Sequence, residues 1–92
     1  MQPREWIKLD QRLRNSHFQR LHTYEVNGRY IYKLSYGAYV SPPGGPYILT
    51  VSQEGSSEYQ RFCGATLPTC FEQAKQAGIP VDQLQLSHWH IR

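Results

Sequence analysis

Histidine is the residue type in this chain that is best suited to acid–base chemistry, because it titrates near neutrality. A metal-independent ribonuclease can work with two histidines and a lysine. The candidate acid–base residues are His17, His22, His88 and His90. Their spacing defines no pair of a nucleophile and a base, so we assign no catalytic residue and predict that the chain is not an enzyme.

Zinc binding is the second chemistry that the residue types allow. Two cysteines and two histidines satisfy tetrahedral zinc, and His88 and His90 would share one face of a strand. Cys63 and Cys70 are seven positions apart, however, which is not a zinc-finger spacing. We therefore favour reduced, buried cysteines and expect neither a metal nor a cofactor.

Basic side chains are concentrated in the first third of the chain. Residues 1–33 hold seven basic and three acidic residues, a net charge of +4, whereas the whole chain carries +3. This asymmetry predicts an anionic partner, such as nucleic acid, an acidic protein surface or a lipid headgroup. The alternative is the solvated face of a helix. The candidate partner-binding or phosphate-binding residues are Arg4, Lys8, Arg12, Arg14, Arg20, Arg29 and Lys33.

Tyrosine is unusually frequent, with seven copies in 92 residues. Its ring is a large, rigid contact surface that is enriched at interfaces, and it can stack on the bases of single-stranded RNA. The alternative, which we favour, is that the strand tyrosines face the helices and form the core. The candidate aromatic anchors are Tyr30, Tyr32, Tyr36 and Trp89.

Two helices are predicted to position these residues. Apolar side chains recur on one arc of a helical wheel over residues 4–21, although Asn15-Ser16 leaves two shorter helices open. A capping box, Thr69 to Glu72, predicts the start of a second helix. That helix should end at Ala77, since Gly78 suits the position after a helix and Pro80 prevents continuation. Its predicted buried side consists of Phe71, Ala74 and Ala77.

Strands are predicted between and after the helices. Asn27-Gly28 joins two alternating segments and is typical of a hairpin. Alternation places Tyr30, Tyr32, Leu34 and Tyr36 on one face of the second strand, with Arg29, Ile31, Lys33 and Ser35 on the other. Further strands are predicted at 47–51, 58–63 and 84–91, the last with a helix as alternative, and residues 41–46 form a break rich in proline and glycine.

The predicted fold class is therefore α+β in a single domain, residues 1–92. It has an N-terminal amphipathic helix, an antiparallel sheet of three to five strands, and a short helix from the second half of the chain packed on one face. A content of 39% hydrophobic and 18% charged residues is typical of a globular chain.

Several functional classes are excluded by missing patterns. No apolar run approaches the roughly 20 residues that span a bilayer, and the N-terminus lacks the apolar segment of a secretory signal. We expect a cytoplasmic protein of a bacterial host, with neither a membrane nor a small-molecule substrate as partner. The phosphate-loop motif, the dinucleotide fingerprint and the nucleophile elbow are also missing.

In length, single-domain build and absence of active-site signatures, the chain resembles the small phage-encoded inhibitors of CRISPR surveillance complexes, the anti-CRISPR proteins, in particular those against type I-F complexes. The resemblance implies a non-enzymatic protein that docks on the subunits cradling the guide RNA and blocks target DNA by occlusion. Its basic charge favours acidic protein patches or exposed guide RNA over DNA mimicry. Reversing Arg4, Lys8 and Arg12 to glutamate is then expected to abolish partner binding while the fold survives.

Two other hypotheses remain open. A stand-alone nucleic-acid-binding domain, such as a phage or plasmid regulator, would bind free DNA or RNA with a steep dependence on salt. A small histidine-dependent nuclease or zinc protein would use the histidines and cysteines.

Overall fold

The fold is α+β, as predicted. The computed structural model describes residues 1–15, 20–24, 26, 28–37 and 44–91. The elements in these residues are helices α1 (Pro3–Arg14) and α2 (Leu67–Gln76), and strands β1 (Arg20–Thr23), β2 (Tyr30–Tyr36), β3 (Tyr47–Gln53), β4 (Tyr59–Gly64) and β5 (His90–Ile91). No helix in these segments has the length and apolar composition that crossing a membrane requires.

Helix α1 is shorter than the predicted helix over 4–21. It starts at Pro3, where a missing N–H costs nothing, and Glu5 Oε1 accepts a hydrogen bond from the backbone N of Gln2 (3.4 Å). Arg20 and Leu21 lie in β1 instead. Leu21 is fully buried opposite Leu34 of β2, so tertiary pairing outweighs the helical pattern there.

Helix α2 begins earlier than the predicted capping box. Its N-cap is Thr66, whose Oγ1 accepts a hydrogen bond from the backbone N of Thr69 (3.3 Å). Thr69 is therefore inside the first turn, and the prediction that it caps the helix was wrong. Pro68 also lies in this turn, where helix N–H groups have no intrahelical acceptor and proline is tolerated.

The end of α2 is close to the prediction. Gly78 adopts φ 90° just after the helix, and the N–H of Ile79 donates to the carbonyl of Ala74 (3.0 Å), which is a glycine-terminated helix end. Phe71 and Ala74 are buried as expected, whereas Ala77 is exposed, and it is the C-cap residue beyond the last helical position. Leu67 and Cys70 complete the buried side.

The five described strands form one sheet in the order β4-β3-β2-β1-β5, with every neighbouring pair antiparallel. The predicted hairpin is confirmed by the pairing of β1 with β2. Gly28 has φ 66° at its turn, while Asn27 lies outside the described residues, as do positions 41–43 of the predicted proline-glycine break.

Both helices pack against the same face of the sheet, here called the inner face. It carries the side chains of Tyr32 and Leu34, which are fully buried, as the alternation in β2 predicts. These side chains join one cluster with Leu9 and Leu13 of α1 and with Phe71 of α2. The strand tyrosines of β2 therefore face the helices.

The C-terminal segment differs from the predicted strand over 84–91. Only β5 is extended and paired, whereas residues 81–83 and 86–88 form short 3-10 turns. Helix α1 holds this segment at two points. Glu5 Oε2 accepts a hydrogen bond from the backbone N of Leu86 (2.9 Å), and Arg12 Nη2 donates one to the carbonyl of Trp89 (3.1 Å).

Candidate functional site

The opposite side of the sheet, here called the outer face, is covered by neither α1 nor α2. Strand alternation and register assign its side chains. They are Arg20 and His22 of β1, Ile31, Lys33 and Ser35 of β2, Ile48, Thr50 and Ser52 of β3, Tyr59, Arg61 and Cys63 of β4, and His90 of β5. Twelve strand positions therefore form this surface, and none of them holds an aspartate or a glutamate.

One row of the outer face crosses all five described strands. The register pairs His90 with His22, His22 with Lys33, Lys33 with Thr50, and Thr50 with Arg61. With neighbouring strands about 4.8 Å apart, the row is about 19 Å long. The row holds two permanent cations, Lys33 and Arg61, and two imidazoles, of which that of His22 is only 6% exposed. We call it the basic row.

Two exposed tyrosines flank this row, one near each edge of the sheet. Tyr24 follows β1 and is 63% exposed, while Tyr59 on β4 is 60% exposed. The Tyr24 ring stacks on His22 with centroids 4.3 Å apart, and the Arg61 guanidinium lies over the Tyr59 ring, 5.7 Å from its centroid. Each aromatic side chain is thus held beside a member of the basic row, with ring surface left to solvent.

The predicted basic residues fall into two separate surfaces. Arg4 and Lys8 are exposed on α1, which packs on the inner face. Lys33 and Arg20 project from the outer face, on the opposite side of the sheet, so the helix and the strands do not form one continuous patch. Exposed Arg29 lies in the turn that precedes β2.

Two arginines of α1 make intramolecular contacts. Arg12 is half-buried and is engaged with the Trp89 carbonyl. Arg14 lies 3.7 Å from a carboxylate oxygen of Asp10 and 5.6 Å from the centroid of the Tyr36 ring. Both side chains therefore have partners within the domain.

Two of the four predicted aromatic anchors are in the core. Trp89 is 2% exposed and Tyr32 is fully buried, and burial raises the pKa of the Tyr32 hydroxyl to about 12. Neither side chain can contact a partner without unfolding, so this part of the anchor prediction was wrong. Tyr30 and Tyr36 are half-buried on the inner face.

The histidines are arranged differently from the prediction. His88 lies in a 3-10 turn, where its Nδ1 accepts a hydrogen bond from the backbone N of Gln85 (3.2 Å), so it does not share a strand face with His90. The sheet instead places His90, His22 and Lys33 on adjacent strands, the residue types of a two-histidine ribonuclease. His22 is only 6% exposed beneath Tyr24, which restricts the access that a phosphodiester would need.

The two cysteines have unequal environments. Cys70 is fully buried, its Sγ donates to the carbonyl of Tyr47 (3.2 Å), and burial raises the pKa of its thiol to about 12. A thiol of this kind stays protonated at neutral pH and is a poor metal ligand. Cys63 projects from the outer face. Within the described segments, no three histidine, cysteine, aspartate or glutamate residues group as metal ligands, and His17 lies outside them.

Sequence reasoning missed Arg61, Tyr24 and Tyr59 as functional candidates. Alternation over residues 58–63 would have placed Tyr59 and Arg61 on one face of a strand. The register of β2, β3 and β4 decides that this face is the one not covered by the helices. The same register places Arg61 in line with Lys33.

Comparison with known proteins gives no relative for this arrangement. No protein-family model, no curated protein and no solved structure matches the chain. The functional conclusion therefore depends on the geometry of the chain itself, and the resemblance to anti-CRISPR proteins stays a prediction.

Proposed function

We propose that this protein is a non-catalytic binding protein that holds single-stranded nucleic acid on the outer face of its sheet. The observation that carries the proposal is the basic row with an exposed tyrosine near each edge. Lysine and arginine attract the phosphates. Exposed rings stack with the bases, the combination that proteins use to bind single strands without a fixed sequence.

The charge distribution on the sheet supports a polyanion over an acidic protein. The three permanent cations of the outer face, Arg20, Lys33 and Arg61, are spread over three strands, and no carboxylate shares the strand surface with them. A partner with evenly repeated negative charge fits such a spread better than one with a few carboxylates does. Aromatic rings without a deep apolar pocket also suit stackable bases.

Direct binding can be tested by fluorescence anisotropy with a labelled mixed-sequence 12-nucleotide strand, as RNA and as DNA. We expect the wild-type protein to bind at low salt. We expect the double variant Lys33→Gln/Arg61→Gln to bind on the order of tenfold more weakly. Comparing the affinities for the RNA and the DNA strand shows which of the two nucleic acids the protein binds more tightly.

The matched control is Arg4→Gln/Lys8→Gln, which removes the same charge from the helix side of the molecule. It should bind like the wild type. Equal loss in both double variants would show that net charge alone attracts the strand and would contradict the outer face as the interface. Absence of wild-type binding to both strands would overturn the proposal.

The anti-CRISPR hypothesis is a special case of this proposal. In it, the strand on the outer face is guide RNA exposed on a type I-F surveillance complex, and the bound protein blocks target DNA by occlusion. Competition between the protein and labelled target DNA for the purified complex tests it. Loss of competition in Lys33→Gln/Arg61→Gln, with competition retained in Arg4→Gln/Lys8→Gln, would support it, and no competition by the wild type would overturn it.

A further inference from the structure

A polar pocket of about 330 Å³ lies at the end of the sheet, beside one of the two exposed tyrosines. This volume is at the lower end of the range for small-ligand sites. Its functional groups are those of Tyr30, Gln53, Ser56, Glu58, Tyr59 and Gln60, and residues 77–79 after α2 close one side. Tyr59 borders the pocket from the outer face of the edge strand β4, whereas Tyr30, Gln53 and Gln60 alternate to the inner face. A nucleotide of a strand on the outer face would therefore reach the pocket by turning around the edge of β4.

The loop that carries Glu58 is held in place by local hydrogen bonds. The backbone N of Ser56 donates to the carbonyl of Gln53 (3.1 Å), and the backbone N of Glu58 donates to Ser56 Oγ (3.2 Å). Glu58 therefore follows a hydrogen-bonded turn and directly precedes Tyr59. Such preorganisation lowers the entropic cost of binding a ligand there.

We propose that this pocket binds a guanine base of the strand on the outer face, with Glu58 as the specificity-determining residue; this inference rests on the proposed function. An ionised carboxylate only accepts hydrogen bonds, through two oxygens. The Watson–Crick edge of guanine presents two adjacent donors, N1–H and the N2 amino group, which match those oxygens. The same edge of adenine, cytosine or uracil pairs a donor with a neighbouring acceptor, which a carboxylate repels.

The surroundings of the pocket agree with a base rather than a phosphate as its occupant. Glu58 is negative, and the C-terminal end of α2 adds partial negative charge from its carbonyl groups. A phosphate would be repelled here and attracted by Arg61 and Lys33 on the outer face. The amides of Gln53 and Gln60 offer both donors and acceptors to the remaining polar atoms of a purine.

The test compares labelled seven-nucleotide strands of uridine with strands that carry one central guanosine, adenosine, cytidine or inosine. Wild-type protein should bind the guanosine strand at least about fivefold more tightly than the uridine strand, the lower limit for a good bidentate contact to a base. Inosine lacks the N2 amino group and should lose part of that gain. Glu58→Gln should bring the guanosine strand to within about twofold of uridine, and Glu72→Gln, an equal charge change on exposed α2 surface, should keep the preference.

The outcomes separate this inference from the proposed function. If the wild type binds all strands with equal affinity, or if Glu58→Gln keeps the preference for guanosine, the guanine pocket is overturned and strand binding on the outer face stands. If the wild type binds none of the strands, both proposals fail. Because inosine changes the ligand and not the protein, its result does not depend on how a variant folds.

Discussion

The guanidinium of Arg12 donates a hydrogen bond to the main-chain carbonyl of Trp89, 3.1 Å away, and so joins the first helix to the last turn before β5. Trp89 is the largest fully buried side chain among the described residues. Arg12, which the charge pattern predicts to bind a partner, therefore has a structural role. It also bears on how variants of α1 must be interpreted.

Arg12→Gln should therefore lower the free energy of unfolding by about 1 kcal/mol, since a partly buried hydrogen bond from a charged donor is lost. Urea denaturation followed by tryptophan fluorescence measures this change. Arg4→Gln, on the exposed side of the same helix, should stay within about 0.5 kcal/mol of the wild type. If both variants unfold alike, the contact to Trp89 contributes nothing to stability. Reversing Arg4, Lys8 and Arg12 to glutamate together changes the surface charge and also breaks the contact to Trp89. A loss of partner binding in that variant would therefore have two causes.

Binding to single strands should weaken with salt in proportion to the phosphates contacted. For single strands, the slope of log affinity against log salt changes by about 0.7 for each phosphate neutralised. Lys33→Gln/Arg61→Gln should therefore reduce the slope by about 1.4. Anisotropy titrations from 50 to 300 mM salt provide the measurement. An unchanged slope in this variant would contradict phosphate contact by the basic row, and Arg4→Gln/Lys8→Gln should leave the slope as it is.

The exposed tyrosines should contribute through their rings. Tyr59→Leu is expected to weaken strand binding by about 1–3 kcal/mol, the usual effect of losing one base stack, and Tyr24→Leu should act similarly. Tyr59→Phe keeps the ring and should bind like the wild type. A loss in Tyr59→Phe as large as in Tyr59→Leu would assign the effect to the hydroxyl group instead. Circular dichroism checks that each variant is folded.

Stability should fall at alkaline pH because burial raises the pKa of Cys70 to about 12, from 9.0 for the free thiol. The protonated thiol favours folding below pH 9. Above that pH the unfolded chain loses its proton first, so the stabilisation declines until about pH 12. Between pH 8 and 10, the wild type should lose about 1.4 kcal/mol more free energy of unfolding than Cys70→Ala.

Urea denaturation at these two pH values measures the difference. Equal pH dependence in the wild type and Cys70→Ala would contradict the assignment to Cys70. Above pH 10 the buried hydroxyls of Tyr32 and Tyr47 should add to the decline, because burial raises the pKa of each to about 12.

Local patterns determined the elements and their faces over much of this chain. Asn27-Gly28 predicted the hairpin, alternation in β2 predicted that Tyr32 and Leu34 are buried, and Gly78 predicted the end of α2. Each of these depends on interactions within a few residues, such as a turn with positive φ or a period of two along a strand. A single sequence carries such information directly.

Tertiary contacts decided what local patterns could not. Leu21 fits a helical wheel as well as a strand, and its pairing with Leu34 selects the strand. Residues 86–89 turn rather than extend, since Glu5 and Arg12 of a distant helix hold their main chain.

Tertiary structure also decided the candidate site. Lys33 and Arg61 are far apart in the sequence and meet in one row only through the register of β2, β3 and β4. Strand order and register follow from burying one face of the whole sheet under two helices. The free energy gained by this burial comes from contacts across the whole core, so the sequence of a single segment does not reveal it.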